Sequence, residues 1–105
     1  MTPESARKAI ADCRERIDTV DRRILALLNE RARIAEQIGQ HKRECSMPIV
    51  EPGREDDVLR NVSEHNAGPL SPGAVKRVFE SIIAEMRAVQ RERMVAGDPG
   101  DPPPE

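Results

Sequence analysis

The sequence predicts an all-α fold with three helices per chain, the first of them very long. Three observations carry this. Apolar residues recur at helical spacing from Ile10 to Ile38, with the one exception of Arg31. Pro and Gly fall in blocks between periodic segments, and from Ser5 to Glu44 there is no Pro and only one Gly, Gly39. No stretch alternates polar and apolar residues as a half-buried strand does.

The first helix spans Ser5 to about Glu44, after a short lead-in from Met1 to Glu4. Ile10, Cys13, Ile17, Val20, Ile24, Leu27, Ile34 and Ile38 follow a 3-4-3-4 pattern, with Arg31 at the one polar seam position. That is a heptad seam. Leu25, Leu28 and Ala35 widen it, and Leu, Ala, Arg and Glu fill the rest, all good helix formers. Ser46 to Pro52 is a connector. Pro52 suits the first turn of a second helix, with Glu51 near its N-cap; this helix runs to about His65 on Val58, Leu59 and Val62. Asn66, Gly68 and Pro69 end it. Ser71-Pro72 reads as an N-cap followed by Pro at the first position of a third helix, about Pro72 to Val95. Its expected buried side is Val75, Val78, Phe79, Ile82, Ile83, Met86 and Val89. Residues 1–95 form the expected helical domain. Residues 96–105 make a Pro-rich acidic tail expected to be disordered.

Length adds a prediction of assembly. The chain has 105 residues, one domain's worth. At 1.5 Å per residue the first helix is about 60 Å long, whereas a compact domain of about this size has a radius of gyration near 13 Å. The seam overruns any globule its own chain can build. A second copy covers it most economically, so an intertwined homodimer is expected. The competing arrangement breaks the helix near Asn29 or Gly39 and folds it back in a monomer.

Composition removes several functions. Phe79 is the only aromatic residue and net charge is −2. A base-stacking platform and a global basic field are both missing, so no nucleic-acid partner is expected. Nothing approaches the roughly 18 apolar residues of a membrane helix. Met1 to Ala11 holds no uninterrupted apolar run, so no secretory leader is visible and the cytoplasm is the expected location. Cys13 and Cys45 lie at no metal-ligand spacing, and His41 and His65 complete no finger pattern.

The informative residues are polar ones on apolar faces. Arg31 interrupts the seam, and a buried guanidinium there calls for an anion. Lys42 lies three turns on and within about 20° of the same face. Gln90 extends the set Phe79, Ile83, Met86 at 4-3-4 spacing. Arg54 and Glu55 share a side with Val58, Leu59 and Val62, and Arg14 neighbours Cys13 of the seam. Together they imply a small anion with several oxygens as the guest. Each also has an ordinary role open to it. Arg31 can set register against a partner Glu, Lys42 can favour the helix dipole, and Gln90, Arg14, Arg54 and Glu55 can be solvated.

Beyond these single readings, the chain resembles a family. Arg14 to Lys42 (RERIDTVDRRILALLNERARIAEQIGQHK), Pro48 to Leu59 (PIVEPGREDDVL) and Arg77 to Gln90 (RVFESIIAEMRAVQ) are similar, in order, to the all-helical chorismate mutases. The similarity covers about residues 7–93. Its weightiest pieces are R-x-x-I-D-x-x-D, L-L-N-E-R, I-G-x-x-K, the V-E-P-G-R-E connector and I-I-x-x-M-R-x-x-Q.

The resemblance implies a Claisen rearrangement of chorismate to prephenate, toward phenylalanine and tyrosine, by an intertwined dimer with two equivalent sites. No cofactor or metal is implied. Carried over by position, Arg31 grips a substrate carboxylate within its own chain, and Arg14 grips one in the partner's site. Lys42 bonds the ether oxygen and a carboxylate, and Gln90 the same ether oxygen. Arg54 assists at the carboxylate end, and Glu51 and Glu55 meet the ring hydroxyl. Two departures stand out. Met86 occupies a place where many members carry a small hydroxyl residue, and Glu51 one where a shorter Asp is familiar. Two other functions fit the same helices: an isochorismate pyruvate lyase and a non-catalytic dimeric regulatory module. The V-E-P-G-R-E connector is closer to the mutase form, and a module needs no inward Arg31, Lys42 and Gln90.

Overall fold

A computed structural model describes residues 1–96, which form α1 (Pro3–Glu44), α2 (Arg54–Glu64) and α3 (Pro72–Ala96). The expected tail lies outside the described residues, save for Ala96, which closes α3. The fold is all-α, as the sequence predicts. No described helix is long and apolar enough to cross a membrane. The chain divides into two compact units, Met1–Arg31 and the residues from Ala32 onward, with the boundary inside α1.

The first unit is the leading part of α1. The helix begins two residues earlier than expected because Met1 to Glu4 is not a bare lead-in. Thr2 Oγ1 accepts from the Ser5 N–H at 3.1 Å, while the Thr2 N–H donates to Ser5 Oγ at 3.0 Å. This reciprocal cap satisfies two otherwise orphaned groups, and Pro3 fits the first helical position, where no N–H is needed. The seam of this unit faces outward: Ile10, Ile17, Val20, Ile24 and Leu27 are all exposed, Leu27 by 64%.

The second unit holds the core. Ala35, Val58, Val75, Ile83 and Met86 are buried, joining the end of α1, α2 and α3. Burying each of the larger ones is worth about 1.5–3 kcal/mol. Val78 departs from the expectation and is exposed. At 100° per residue it lies about 90° from the centre of the stripe that Val75, Phe79, Ile83 and Met86 define.

Two turns set the connector. After Glu44, the Ser46 N–H donates to the Arg43 carbonyl and the Met47 N–H to the Lys42 carbonyl at 2.7 Å. Ser46 has φ 53°. That is the bonding of a Schellman cap, with serine where glycine is usual. The second turn corrects the expected start of α2. Pro52 lies ahead of the helix, in a turn closed by the Arg54 N–H on the Glu51 carbonyl at 3.2 Å. Pro at the second position and Gly53 at the third, with φ 83°, are what a type II turn requires. The helix therefore begins at Arg54. At α3, Ser71 Oγ accepts from the Ala74 N–H at 3.1 Å, the N-cap read from the sequence.

Left-handed backbone costs a residue with a Cβ about 1 kcal/mol that glycine avoids. Ser46→Gly is expected to raise stability by about that amount, read as a higher thermal midpoint by circular dichroism with unchanged helical signal.

Candidate functional site

Lys42 is the one buried charged residue among those described, 5% exposed. Its burial follows from spacing. Ala35, Gly39 and Lys42 are the buried residues of α1 and share one face of its last turns. Gly39 lets that face meet α3 closely. A Cβ at Gly39 would lie 3.1 Å from both Gln90 Cα and Gln90 O, and those backbone atoms cannot swing aside. The glycine thus brings Gln90 level with the last turn of α1.

An ammonium taken out of water needs acceptors. Lys42 Nζ donates to the Ile49 carbonyl at 2.6 Å and to Gln90 Oε1 at 3.0 Å, and Glu51 Oε1 lies 3.4 Å away. The capped turn at Ser46 is what folds the connector back so that Ile49 and Glu51 reach the lysine. Because an ammonium only donates, its bond fixes the Gln90 amide with oxygen toward Lys42, leaving the NH2 group to donate elsewhere.

Of the other expected site residues, Met86 is buried one turn before Gln90. Glu55 is half-buried in the first turn of α2, where Arg87 Nη2 approaches its Oε2 at 3.5 Å. Arg54 is exposed beside it. Arg14 is exposed and Arg31 half-buried, both on α1 within the first unit. The structure therefore gathers Lys42, Gln90 and Glu51, and holds Glu55 through Arg87.

Arg87, Gly39 and the Ile49 carbonyl were not singled out from the sequence as parts of a site. One left a signal there. Arg87 lies about 85° from the centre of the α3 stripe, at its edge, where a charged residue is ordinary. Gly39 is the one glycine in a long run of helix formers, a mark of close backbone approach. A main-chain carbonyl leaves no signal.

The chain matches the family model described as chorismate mutase type II over residues 13–91. It is 42% identical over 83 residues to a bifunctional chorismate mutase/prephenate dehydratase of Neisseria gonorrhoeae, a match covering 79% of this chain and 22% of that one. It thus spans about a fifth of that relative's length. A chorismate mutase of Methanocaldococcus jannaschii is 29% identical over 87 residues, covering 79% of this chain and 85% of that protein. Among solved structures, the Form II chorismate mutase of Thermus thermophilus superimposes with a TM-score of 0.76 at 28% identity, covering 90% of this chain and 99% of that one. With the helix order, the capped connector and the Lys42–Gln90 pair in place, these likenesses settle the kinship: the chain belongs to the chorismate mutase type II family.

Proposed function

We propose that this chain catalyses the rearrangement of chorismate to prephenate. The observation that carries the reading is a buried lysine ammonium 3.0 Å from the oxygen of a glutamine amide, a bond that turns the amide's NH2 away as a donor. The reaction is intramolecular and pericyclic, so it needs neither nucleophile nor acid–base pair. It needs the substrate held in its compact, chair-like conformer. It also needs positive charge and donors where the breaking C–O bond leaves negative charge on the ether oxygen. Lys42 and Gln90 supply both, and more strongly at the transition state than before it, because the charge is larger there. The burial of Lys42 strengthens the effect.

Arg31 and Arg14 are the proposed ligands of the two substrate carboxylates, since planar guanidinium forks bind carboxylates at two points. Arg54 assists them, and Glu55, steadied by Arg87, meets the ring hydroxyl. Met86 offers no donor to a carboxylate, which weakens binding without touching the chemistry. The working unit is a homodimer in which Arg14 serves the partner's site. Supporting this is the α1 seam, a self-complementary heptad row with its apolar side chains exposed from Ile10 to Ile38.

Purified protein should remove the ultraviolet absorbance of chorismate saturably, and acid should convert the product to phenylpyruvate. Pyruvate released from isochorismate instead would identify a lyase; a folded protein inactive on both would reject the enzymatic reading. Lys42→Ala should cost about 10²–10³ in kcat, as removal of a transition-state donor does, with the helical signal retained.

Gly39→Ala tests whether the close approach sets the geometry. The added methyl pushes Gln90 off by a few tenths of an ångström. An expected loss of about tenfold in kcat/KM follows from misplacement, while the better helix propensity of alanine keeps the melting temperature near that of the parent.

The assembly has its own test. Light scattering should give the mass of two chains. Mixing inactive Arg14→Ala and Arg31→Ala proteins should then restore part of the activity, since one site of each mixed dimer keeps both arginines. Failure after verified subunit exchange would remove Arg14 from the partner's site.

A further inference from the structure

Lys42 has three N–H donors. Two are spent on Ile49 O and Gln90 Oε1, and Glu51 Oε1 lies 3.4 Å away as an ion-pair partner. A further oxygen on Lys42 therefore either takes the remaining donor beside the Glu51 carboxylate or displaces one of the two bonds.

The three are not equally held. Ile49 O is main chain, fixed by the turn that caps α1. Gln90 is locked where its backbone meets Gly39. The Glu51 side chain is 52% exposed, makes the longest of the contacts and has water beside it. Its carboxylate keeps part of its hydration on Lys42 and regains the rest on leaving, so releasing it is the least costly exchange.

Charge favours the same choice. With Glu51 as its one anionic neighbour among the described residues, Lys42 stays compensated if an anionic oxygen takes that place, whereas an incoming anion beside an undisplaced Glu51 is repelled. We infer that Glu51 is the displaceable counter-ion of Lys42, and that an anionic substrate binds by exchanging with it. This rests on the mutase reading above, and it gives Glu51 a different task from the ring-hydroxyl contact implied by resemblance. Glu51 holds the lysine aimed, and competes with the substrate for it.

The two tasks predict opposite signs. For a counter-ion, Glu51→Gln and Glu51→Ala both lower KM for chorismate, by about two- to fivefold as expected of a half-exposed ion pair. In that case kcat changes less than KM, and the gap closes in high salt, which screens the parent's pair. For a hydroxyl ligand, Glu51→Ala raises KM and Glu51→Gln, which keeps an acceptor, raises it less. A rise or no change in both variants overturns the inference.

A second readout is independent of turnover. In nitrogen NMR of the lysine side chains, Glu51→Gln should shift the Lys42 ammonium signal, and Glu64→Gln, at the far end of α2, should not. Chorismate should move the same signal further in Glu51→Gln, which gains an anion, than in the parent, which exchanges one for another. A Lys42 signal indifferent to Glu51→Gln removes the counter-ion. A parent protein that leaves chorismate unchanged but shows the Glu51 effect removes the mutase reading instead.

Discussion

Removing an ammonium from water costs several kcal/mol unless acceptors replace the lost hydration. Within the second unit, the satisfaction of Lys42 is the constraint on which the other features depend. Its acceptors come from three places in the sequence: a main-chain carbonyl of the connector, a side chain just ahead of α2, and an amide on α3. One charge thus ties together segments that the small apolar core would hold only loosely. That core contains no side chain less than 2% exposed among the described residues. A core so thin leaves relative placement underdetermined, and directional bonds to a buried cation supply what packing does not.

The bonds form only because backbone geometry delivers the acceptors. Ser46 accepts left-handed backbone so that the chain turns back over the end of α1. Gly53 accepts it so that α2 can start on the far side of a tight turn. Gly39 gives up a side chain so that α3 lies against α1. Each concession has a local cost, and each places one wall of the lysine's surroundings. Arg93 adds to the same crossing, with its Nη2 3.9 Å from Glu36 Oε2 one turn before Gly39. The pair at Glu55 and Arg87 plays a like part between α2 and α3, fastening the first turn of α2 beside the helix that carries Gln90.

Sequence pattern shows which of these features have an addressable signal. The helices were legible because Pro, Gly and Ser mark their ends and because periodicity persists over many turns. The start of α2 was misplaced because Pro suits both the first helical position and the second position of a turn, and only the φ of Gly53 separates them. Lys42 and Gln90 were legible as polar residues in phase with apolar faces. Glu51 was legible only through the resemblance, and its contact with Lys42 was not, because that contact depends on a turn whose carbonyls carry no residue code. The exposure of the α1 seam fits the length argument: a heptad row this long has no counterpart of equal length in its own chain.

The identity of residue 90 follows from the same electrostatics. A carboxylate there would accept from Lys42 equally well, and with Glu51 already within 3.4 Å it would place two negative charges on one ammonium. The cluster would then be anionic, and it would present no donor to an oxygen gaining negative charge. An amide does the opposite on both counts. Its oxygen satisfies the lysine without neutralising it, and its nitrogen is turned outward by that same bond as a donor. Hydrophobic packing has no use for this polarity, and a solvated edge residue would not need the Gly39 contact to hold it. A glutamine locked at the backbone and oriented by a buried cation is what the role proposed above for Gln90 requires.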